Sequence, residues 1–253
     1  MPQALASQAT PTALREINRR FYDHLWSAAR LIAPERLNTW PLVQSLLPRC
    51  QRRLEVAPGL RPRLPIEGTQ FVDLSEPALM ELASRGARVA QGEICCLPFT
   101  SATFDLVCAF DVIEHIDNDR GALAELCRVI APGGVLLLSV PLYSSRWTVF
   151  DELVGHRRRY EPEALLGLLR QHALSVQHSA VYGMQPRSPR LVEYGMWWLT
   201  HHPELAMWWY NRVFMPLGVW FQPRLTLRPG MIDTQGVDEI ILVCGAAGGA
   251  QLH

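Results

Sequence analysis

Short apolar runs alternate with helix-like patterns along this chain from Arg52 onward. The strand-like runs are RRLEVA, QFVDL, ARVAQ, FDLVCAF, GVLLLSV, LSVQHSAVY and VDEIILVC. Between several of them, apolar residues recur every three or four positions, as they do along one face of a helix. The alternation predicts an α/β fold in which a mostly parallel sheet of seven strands carries helices on both faces.

Pro and Gly residues mark where predicted helices begin and end. The apolar stripe from Leu123 to Ile130 predicts a helix that stops at Pro132-Gly133-Gly134. Another helix is predicted to begin at Glu161-Pro162, because Pro suits the first helical position. Near the N-terminus, apolar spacings of three and four over residues 12–32 predict an amphipathic helix that caps the fold.

These patterns divide the chain into four parts. We predict an N-terminal helical cap at residues 1–50, a sheet core at 51–183, an insertion at 184–236, and the last strand with the tail at 237–253. The insertion is rich in Trp, Met and Pro, and it holds more aromatic residues than a plain connection requires. We therefore expect it to form an apolar lid or a patch that contacts a membrane surface.

Composition and charge exclude several classes of protein. The 24 basic and 24 acidic residues cancel, so no overall field favours non-specific binding of nucleic acid. The six cysteines lack the CxxC spacing of zinc sites. The N-terminus has no basic start followed by an apolar run, and no uncharged apolar stretch of about 18 residues follows. We expect a cytoplasmic protein with no nucleic-acid partner.

An acidic residue ends the second predicted strand. Asp73, in FVDLS, follows Glu55 of the first strand by 18 positions. In sheets of this kind, a carboxylate at that place accepts hydrogen bonds from the ribose hydroxyls of a cofactor. The alternative is that Asp73 caps the next helix, a role that Ser75 can also fill.

Six segments carry a resemblance to a known family. LEVAPG, FVDLS, GEICCLPF, FDLVCAFDVIEHI, ALAELCRVIAPGGVLLLSVP and GHRRRYEPEAL follow one another between Leu54 and about Gly183. In this order and spacing they resemble the class I S-adenosylmethionine-dependent methyltransferases, in the group related to the ubiquinone and menaquinone methylases. The resemblance implies a Rossmann-like sheet, S-adenosylmethionine as cofactor, and methyl transfer to a small or lipid-like acceptor, with O-methylation favoured.

The resemblance also implies a set of cofactor-binding residues. They are Glu55, Ala57, Gly59, Asp73, Leu74, Glu93, Ile94 and Asp111. The first three lie beside the methionine part of the cofactor, and Asp73 binds the ribose. Glu93 meets the adenine amino group, with Ile94 packed on the ring. Asp111, which ends the fourth strand, lies beside the sulfonium and the acceptor.

The loop after the first strand departs from the family pattern. That pattern is acid-x-Gly-x-Gly-x-Gly, whereas this chain reads Glu55-Val-Ala-Pro-Gly-Leu-Arg61, followed by Pro62 and Pro65. The prolines are expected to abolish most of the helix that follows this loop in the family. Arg61 or Arg63 could grip the methionine carboxylate instead. The competing hypothesis is a non-catalytic partner protein that keeps the fold and has lost the cofactor.

The tract Asp111-x-x-Glu114-His115 has two interpretations. Its three side chains could converge on one ion, and the tract is similar to the Glu-x-x-Glu-His of ubiquinone-biosynthesis O-methyltransferases, in which a divalent metal orients the acceptor. We instead expect no metal, with His115 and Asp111 as the catalytic residues. His115 is then a candidate general base that titrates near neutral pH.

The acceptor is expected to lie between three segments. GHRRRY could either bind the acceptor or be a purely structural basic turn. The predicted acceptor-binding residues are Tyr22, Trp26, His156, Arg158, Tyr160, Trp197 and Trp198. An aromatic wall favours an apolar or aromatic acceptor, because a charged one would lose hydration without enough partners.

Overall fold

The computed structural model describes residues 29–183, 194, 195, 197, 198 and 201–246. The strands are β1 (Arg53–Val56), β2 (Thr69–Asp73), β3 (Arg88–Gln91), β4 (Phe104–Phe110), β5 (Ile130–Pro141), β6 (Leu174–Tyr182), β7 (Arg228–Pro229) and β8 (Glu239–Ala246). The α-helices are α1 (Trp40–Leu46), α2 (Glu76–Ser84), α3 (Asp119–Val129), α4 (Val149–Val154), α5 (Pro162–Gln171), α6 (Pro203–Trp209) and α7 (Met215–Phe221). A 3-10 turn at Ile113–His115 follows β4, and a π-helical turn at Tyr210–Phe214 joins α6 to α7.

The described strands form one sheet in the order β3-β2-β1-β4-β5-β8-β6-β7. β3, β2, β1, β4 and β5 are mutually parallel, whereas β8 runs antiparallel to both β5 and β6. The predicted mostly parallel α/β sheet is confirmed, with eight strands among the described residues rather than seven. The additional strand is β7, a two-residue segment inside the predicted insertion, where no apolar run marks it.

The strand order reverses between β1 and β4. Chain connections lead from β1 outward to β2 and β3, and from β4 outward to β5 on the other side. Parallel sheets open a crevice beyond the carboxyl ends of their strands at such a switch point, and ligands bind there. The residues that follow Val56, at the end of β1, and Phe110, at the end of β4, border this crevice. Asp73 ends β2, the strand on the other side of β1.

Helices bury apolar residues on both faces of the sheet, as predicted. On one face, α3 and α5 contribute Leu123, Leu126, Leu165 and Leu169, all with 1% exposure or less. On the other face, α1 packs with Leu64 against β4, β5 and β8. Each fully buried Leu contributes about 1.5–3 kcal/mol of transfer free energy, so the sheet is stabilised from both sides.

The connection from β1 to β2 contains no helix. Residues 57–68 run as turns and bends, which confirms the expected effect of the prolines. Leu64, in this connection, is fully buried and takes part in the core on the α1 side. The shortened connection leaves the loop at residues 57–63 directly above the crevice.

Two predicted helix boundaries need correction. Residues 12–28 of the predicted N-terminal helix lie outside the described residues, and residues 29–33, which are described, are not helical. α3 ends at Val129 rather than at Pro132, and β5 already begins at Ile130. The pairing of β5 with β4 shifts register between Phe104 and Leu106, so the Pro-Gly-Gly segment forms an irregular start of the strand.

The described part of the insertion packs through a small cluster. Met215 and Val219 bury their side chains against Leu37, with Ile32 and Tyr210 beside them. The outer side of these helices exposes large apolar residues: Leu205, Trp208, Trp209, Phe214, Leu217, Trp220 and Phe221. Among the described residues, no helix is both long enough and apolar enough to cross a membrane.

Candidate active site

Asp73 joins two segments at the crevice. The side chain is buried, its Oδ2 accepts a hydrogen bond from the backbone N–H of Gly59 at 3.0 Å, and its Oδ1 accepts one from the N–H of Ser75 at 2.8 Å. The carboxylate therefore ties the loop after β1 to the start of α2. A carboxylate has about four acceptor sites, so these bonds are compatible with hydrogen bonds from ribose hydroxyls to the same side chain.

The residues predicted to hold the adenine lie beside Asp73. The backbone N–H of Gly92 donates to the carbonyl of Asp73 at 3.1 Å, which places Glu93 and Ile94 just beyond the ends of β2 and β3. Ile94 is buried, Glu93 is exposed, and Leu74 is 45% exposed. An exposed Leu next to a buried carboxylate offers an apolar surface together with a polar anchor, as ligand sites commonly do.

The loop after β1 adopts left-handed backbone conformations. Ala57 has φ +53° and Gly59 has φ +52°. This region suits glycine and costs a residue with a Cβ roughly 1 kcal/mol, which explains why a glycine is expected at position 57. Despite that cost the loop is held in place, because the N–H of Ala57 donates to the carbonyl of Val72 at 2.7 Å.

Glu55 folds the shortened connection around its carboxylate. It is 2% exposed, and its oxygens accept backbone N–H bonds from Arg63 at 2.8 and 3.0 Å and from Leu64 at 2.8 Å. Burial raises the pKa of Glu55 to about 7, against the lowering effect of these hydrogen bonds and of the Arg63 charge. The predicted contact of Glu55 with the methionine part remains a prediction.

This raised pKa predicts a pH dependence of stability. The unfolded chain releases the Glu55 proton near pH 4.5, whereas the folded protein keeps it until about pH 7. The neutral Glu55 side chain therefore contributes fully to the free energy of unfolding below pH 4.5, and this contribution is lost as the pH rises to about 7. The loss is at most about 1.4 kcal/mol per pH unit. Urea denaturation of the wild type and of Glu55→Gln between pH 4 and 8 measures it. We expect the wild type to lose roughly 2–4 kcal/mol relative to the variant, and a difference that does not change with pH would contradict the assignment.

The two arginines of the loop have different contacts. Arg61 donates from Nη1 to the hydroxyl of Tyr210 at 3.3 Å, which connects the loop to the insertion. Arg63 is buried, and its guanidinium lies over the rings of Phe110 and Tyr182 at 5.6 and 5.7 Å. A guanidinium between two aromatic rings is stabilised by cation–π attraction. Both residues border the crevice, and a contact of either with the methionine carboxylate stays a prediction.

Asp111 directs its carboxylate into a buried network. It follows β4 with φ +54°, a conformation that Asp tolerates better than most residues. The hydroxyl of Ser139 donates to its Oδ1 at 2.6 Å, and the backbone N–H of Asp111 donates to the same hydroxyl at 3.0 Å. Burial raises the pKa of Glu239 well above its ordinary value, and the nearby Asp111 carboxyl group raises it further. Glu239 therefore holds its proton more tightly than an exposed Glu does, and it lies near Asp111 beside the crevice.

Glu114 and His115 occupy the 3-10 turn after β4. Glu114 is fully buried, and neither of its oxygens accepts a hydrogen bond from another residue in the described part of the chain. Burial and the neighbouring Asp111 raise the pKa of Glu114 well above its usual range. Burial and the nearby His156 lower the pKa of His115 to about 3. His115 is therefore neutral at pH 7 and a weaker base than the sequence led us to expect.

The GHRRRY tract brings His156 to the same place. The His156 ring lies 4.6 Å from the ring of His115, and its Nδ1 is 2.8 Å from Oδ1 of the buried Asp151. Burial raises the pKa of Asp151, but hydrogen bonds from His156, Arg159 and Thr148 outweigh it and lower the pKa below its ordinary value. An ionised Asp151 holds the proton of His156 on Nδ1 and leaves Nε2 directed toward Glu114, 3.9 Å from its Oε1.

The other predicted residues of this tract have structural contacts. Arg158 donates to the carbonyls of Ile116 and Asp117 and pairs with Asp119 at 2.7 Å. Tyr160 is 5% exposed, and its hydroxyl lies 3.1 Å from Oδ2 of Asp119. Both side chains hold the turn after β4 in place, so a direct contact with the acceptor is supported for neither.

The predicted aromatic wall is described only in part. Tyr22 and Trp26 lie outside the described residues. Trp197 is 49% exposed and stacks on the ring of His201 at 4.6 Å, and Trp198 lies 6.1 Å from the ring of His202. Their contact with the acceptor stays a prediction.

Several site residues were missed by the sequence reasoning. Ser139 and Glu239 contact or adjoin Asp111, and Asp151 orients His156. A signal for the first two was present, because each is a polar residue inside or at the start of an apolar strand run. Asp151 sits in a short helix with no distinctive spacing.

The family model described as "Methyltransferase domain" matches residues 68–138, from the start of β2 through most of β5. This span contains Asp73, Glu93, Asp111 and Glu114. Residues 68–138 therefore match a methyltransferase domain. Its relatives include proteins named as S-adenosylmethionine-dependent methyltransferases, so the resemblance seen in the sequence is confirmed.

Curated relatives match parts of this methyltransferase domain. A malonyl-[acyl-carrier protein] O-methyltransferase of Enterobacter lignolyticus is 33% identical over 102 residues, which cover 37% of this chain and 41% of that protein. A demethylmenaquinone methyltransferase of Deinococcus radiodurans is 38% identical over 85 residues, covering 30% of this chain and 33% of that protein. The chain thus spans well under half the length of the curated relatives that it matches.

Solved structures share the fold over a longer range. A SAM-dependent methyltransferase of Thermotoga maritima, titled a possible histamine N-methyltransferase, superimposes with a TM-score of 0.57 over 92% of this chain and 95% of that one. The sequence identity is 17%. The methyltransferase domain therefore has the Rossmann-like fold expected from its sequence.

Proposed function

We propose that this chain transfers the methyl group of S-adenosylmethionine to an oxygen atom of a small or lipid-like acceptor. The observation that carries the proposal is Asp73, a buried carboxylate that ends β2 beside the switch point and is bonded to the N–H of Gly59. The family match over residues 68–138 supports the same chemistry.

The residues of the crevice fit the cofactor by their chemistry. Asp73 supplies acceptors for ribose hydroxyls, Leu74 supplies exposed apolar surface, and Glu93 supplies an exposed carboxylate for an amino group. When bound, S-adenosylmethionine supplies a methyl group on a positively charged sulfur. Asp111 lies near that end of the crevice, and a carboxylate at this place favours a bound cation.

One relative supports the choice of an oxygen acceptor, and two pockets offer space in which an acceptor could be held. The relative from Enterobacter lignolyticus is named an O-methyltransferase. Pockets of about 460 and 310 Å³ open at the carboxyl ends of β6 and β5, where Val181 and Tyr143 lie, and residues of the predicted insertion line both. An acceptor held there would lie at the same edge of the sheet as Asp111.

A transfer assay tests the proposed function. The protein is incubated with S-adenosylmethionine carrying a labelled methyl group and with extracts fractionated into polar and lipid pools, and labelled products are identified by mass spectrometry. We expect a labelled methyl ester or ether from the lipid pool. A labelled carbon or nitrogen would correct the acceptor atom, and binding of cofactor without any labelled product would favour the non-catalytic alternative.

The paired tryptophans test where the acceptor binds. We expect Trp197→Ala combined with Trp198→Ala to raise the acceptor's KM about tenfold, because an apolar acceptor loses contact area. The affinity for S-adenosylhomocysteine should stay within a factor of about two. Trp147→Ala, which removes a partly exposed tryptophan outside the insertion, is the control. If both ligands weaken equally, the pair belongs to the general core.

A further inference from the structure

Glu114, His115 and His156 bring three potential metal ligands together. One donor atom from each, a carboxylate oxygen and two ring nitrogens, lies within 4.8 Å of the other two. Ligands around a tetrahedral Zn²⁺ are about 3.3 Å apart when the metal–ligand distance is about 2.0–2.1 Å. Side-chain shifts of about 1 Å would therefore close the three residues on one ion.

Glu114 gives the second indication of a ligand. Its side chain is 1% exposed, and neither of its buried oxygens has a hydrogen-bond partner from another of the described residues. A buried carboxylate in this state is costly, because it has lost water without gaining a partner. A bound cation is the partner that would satisfy both the charge and the oxygens.

The neighbours of His156 orient it as metal-binding histidines are oriented. Its Nδ1 bonds to Oδ1 of Asp151, which is itself held by Arg159 and Thr148. Carboxylate–histidine pairs of this kind fix the tautomer and direct the other nitrogen to a metal. The backbone supports the same arrangement, because the N–H of Arg157 donates to the carbonyl of Glu114 at 2.7 Å.

We propose that Glu114, His115 and His156 form a binding site for one divalent transition-metal ion of the Zn²⁺ or Fe²⁺ type. Two imidazoles and one carboxylate suit these ions, whereas Mg²⁺ and Ca²⁺ prefer oxygen ligands alone. Three protein ligands leave at least one coordination position for water or for an oxygen of another molecule. This ligand set differs from the Asp111, Glu114 and His115 combination considered from the sequence, because Asp111 is bonded to Ser139 and His156 takes its place.

Metal titration of the full chain tests this site without any cofactor. The protein is treated with a chelator, dialysed, and titrated with ZnCl₂ in a calorimeter and with CoCl₂ while the visible absorption of Co²⁺ is recorded. We expect one ion per chain. Glu114→Gln and His156→Ala should each weaken binding at least tenfold and abolish the Co²⁺ bands, as loss of a ligand requires.

Two variants serve as controls. His172→Ala removes a histidine at the end of α5, away from the cluster, and should leave Zn²⁺ binding unchanged. Asp111→Asn should also leave Zn²⁺ binding unchanged. A tenfold loss of Zn²⁺ affinity in this variant would show instead that Asp111, Glu114 and His115 are the ligands. Absence of stoichiometric binding in the wild type, or equal binding by wild type and Glu114→Gln, overturns the proposal. Glu114→Gln keeps the shape of the side chain, and its circular dichroism checks that it folds.

Discussion

Asp73→Ala is expected to weaken the binding of S-adenosylhomocysteine by one to two orders of magnitude. This loss corresponds to about 1.4–3 kcal/mol, as expected when a charged acceptor of hydrogen bonds is removed from a poorly hydrated site. The variant also removes the hydrogen bond from Gly59, so the loop after β1 loses one of its bonds to β2 and keeps the one from Ala57 to Val72. Both effects act on the same ligand and reduce its affinity in the same direction.

Isothermal titration of the folded variant measures this effect. The matched control is Asp105→Asn, because Asp105 lies at the amino end of β4 and pairs with Arg52 at 2.6 Å, at the opposite edge of the sheet from Asp73. Its affinity for S-adenosylhomocysteine should stay within a factor of about two of the wild type. Unchanged affinity in folded Asp73→Ala would show that this carboxylate does not bind the ribose.

Arg159→Leu is expected to destabilise the fold by about 3–5 kcal/mol, the usual cost of breaking a buried ion pair by removing one partner. The Arg159 side chain is 1% exposed and bonds to Asp151 and Asp238, both at 2.8 Å. Removing it leaves the fully buried Asp151 with a charge that fewer partners balance. The ion pairs also join α4 to the start of β8, so the loss affects contacts far apart in the chain.

Two further variants of the same tract sharpen this test. Arg157→Leu removes an arginine whose Nε lies 3.4 Å from Oδ1 of Asp117, a side chain that is 63% exposed. This variant should lower the free energy of unfolding by less than about 1 kcal/mol. Arg159→Lys keeps the charge but not the planar set of donors, and should lie between the two. Guanidinium denaturation gives the three values. Equal small losses for Arg157→Leu and Arg159→Leu would contradict the assignment of Arg159 as the buried arginine.

The sheet could be predicted because its strands carry their own signal. β4 reads FDLVCAF and β5 contains GVLLLSV, and runs of this kind are buried on both faces of a parallel sheet. Asp73 was predicted as a site residue because its place at the end of β2 follows from the strand pattern. The two-residue β7 could not be predicted, since it is set by pairing with β6 and not by its own sequence.

The arginine tract shows where sequence reasoning ends. Arg157, Arg158 and Arg159 are chemically identical neighbours, yet one pairs at the surface, one fastens a turn and one is buried. The difference depends on Asp238, which is 79 positions away in the chain. Contacts over such distances arise from the fold and leave no local pattern.

His156 illustrates the same limit at the candidate site. The sequence placed Glu114 and His115 together because they are adjacent, but it offered Asp111 as the third member of the group. In the structure the φ of +54° at Asp111 turns that residue toward Ser139, and the turn after α4 brings His156 to the cluster. Neither the backbone angle nor the approach of a second segment can be deduced from spacing.

Calorimetric titration of the wild-type chain with S-adenosylhomocysteine measures whether the crevice beside Asp73 binds the cofactor product. We expect saturable binding of one molecule per chain, and competition by S-adenosylmethionine for the same site. A folded protein that shows neither heat of binding nor a shift in thermal unfolding at millimolar ligand would contradict it, and the sheet would then serve as a scaffold without its cofactor.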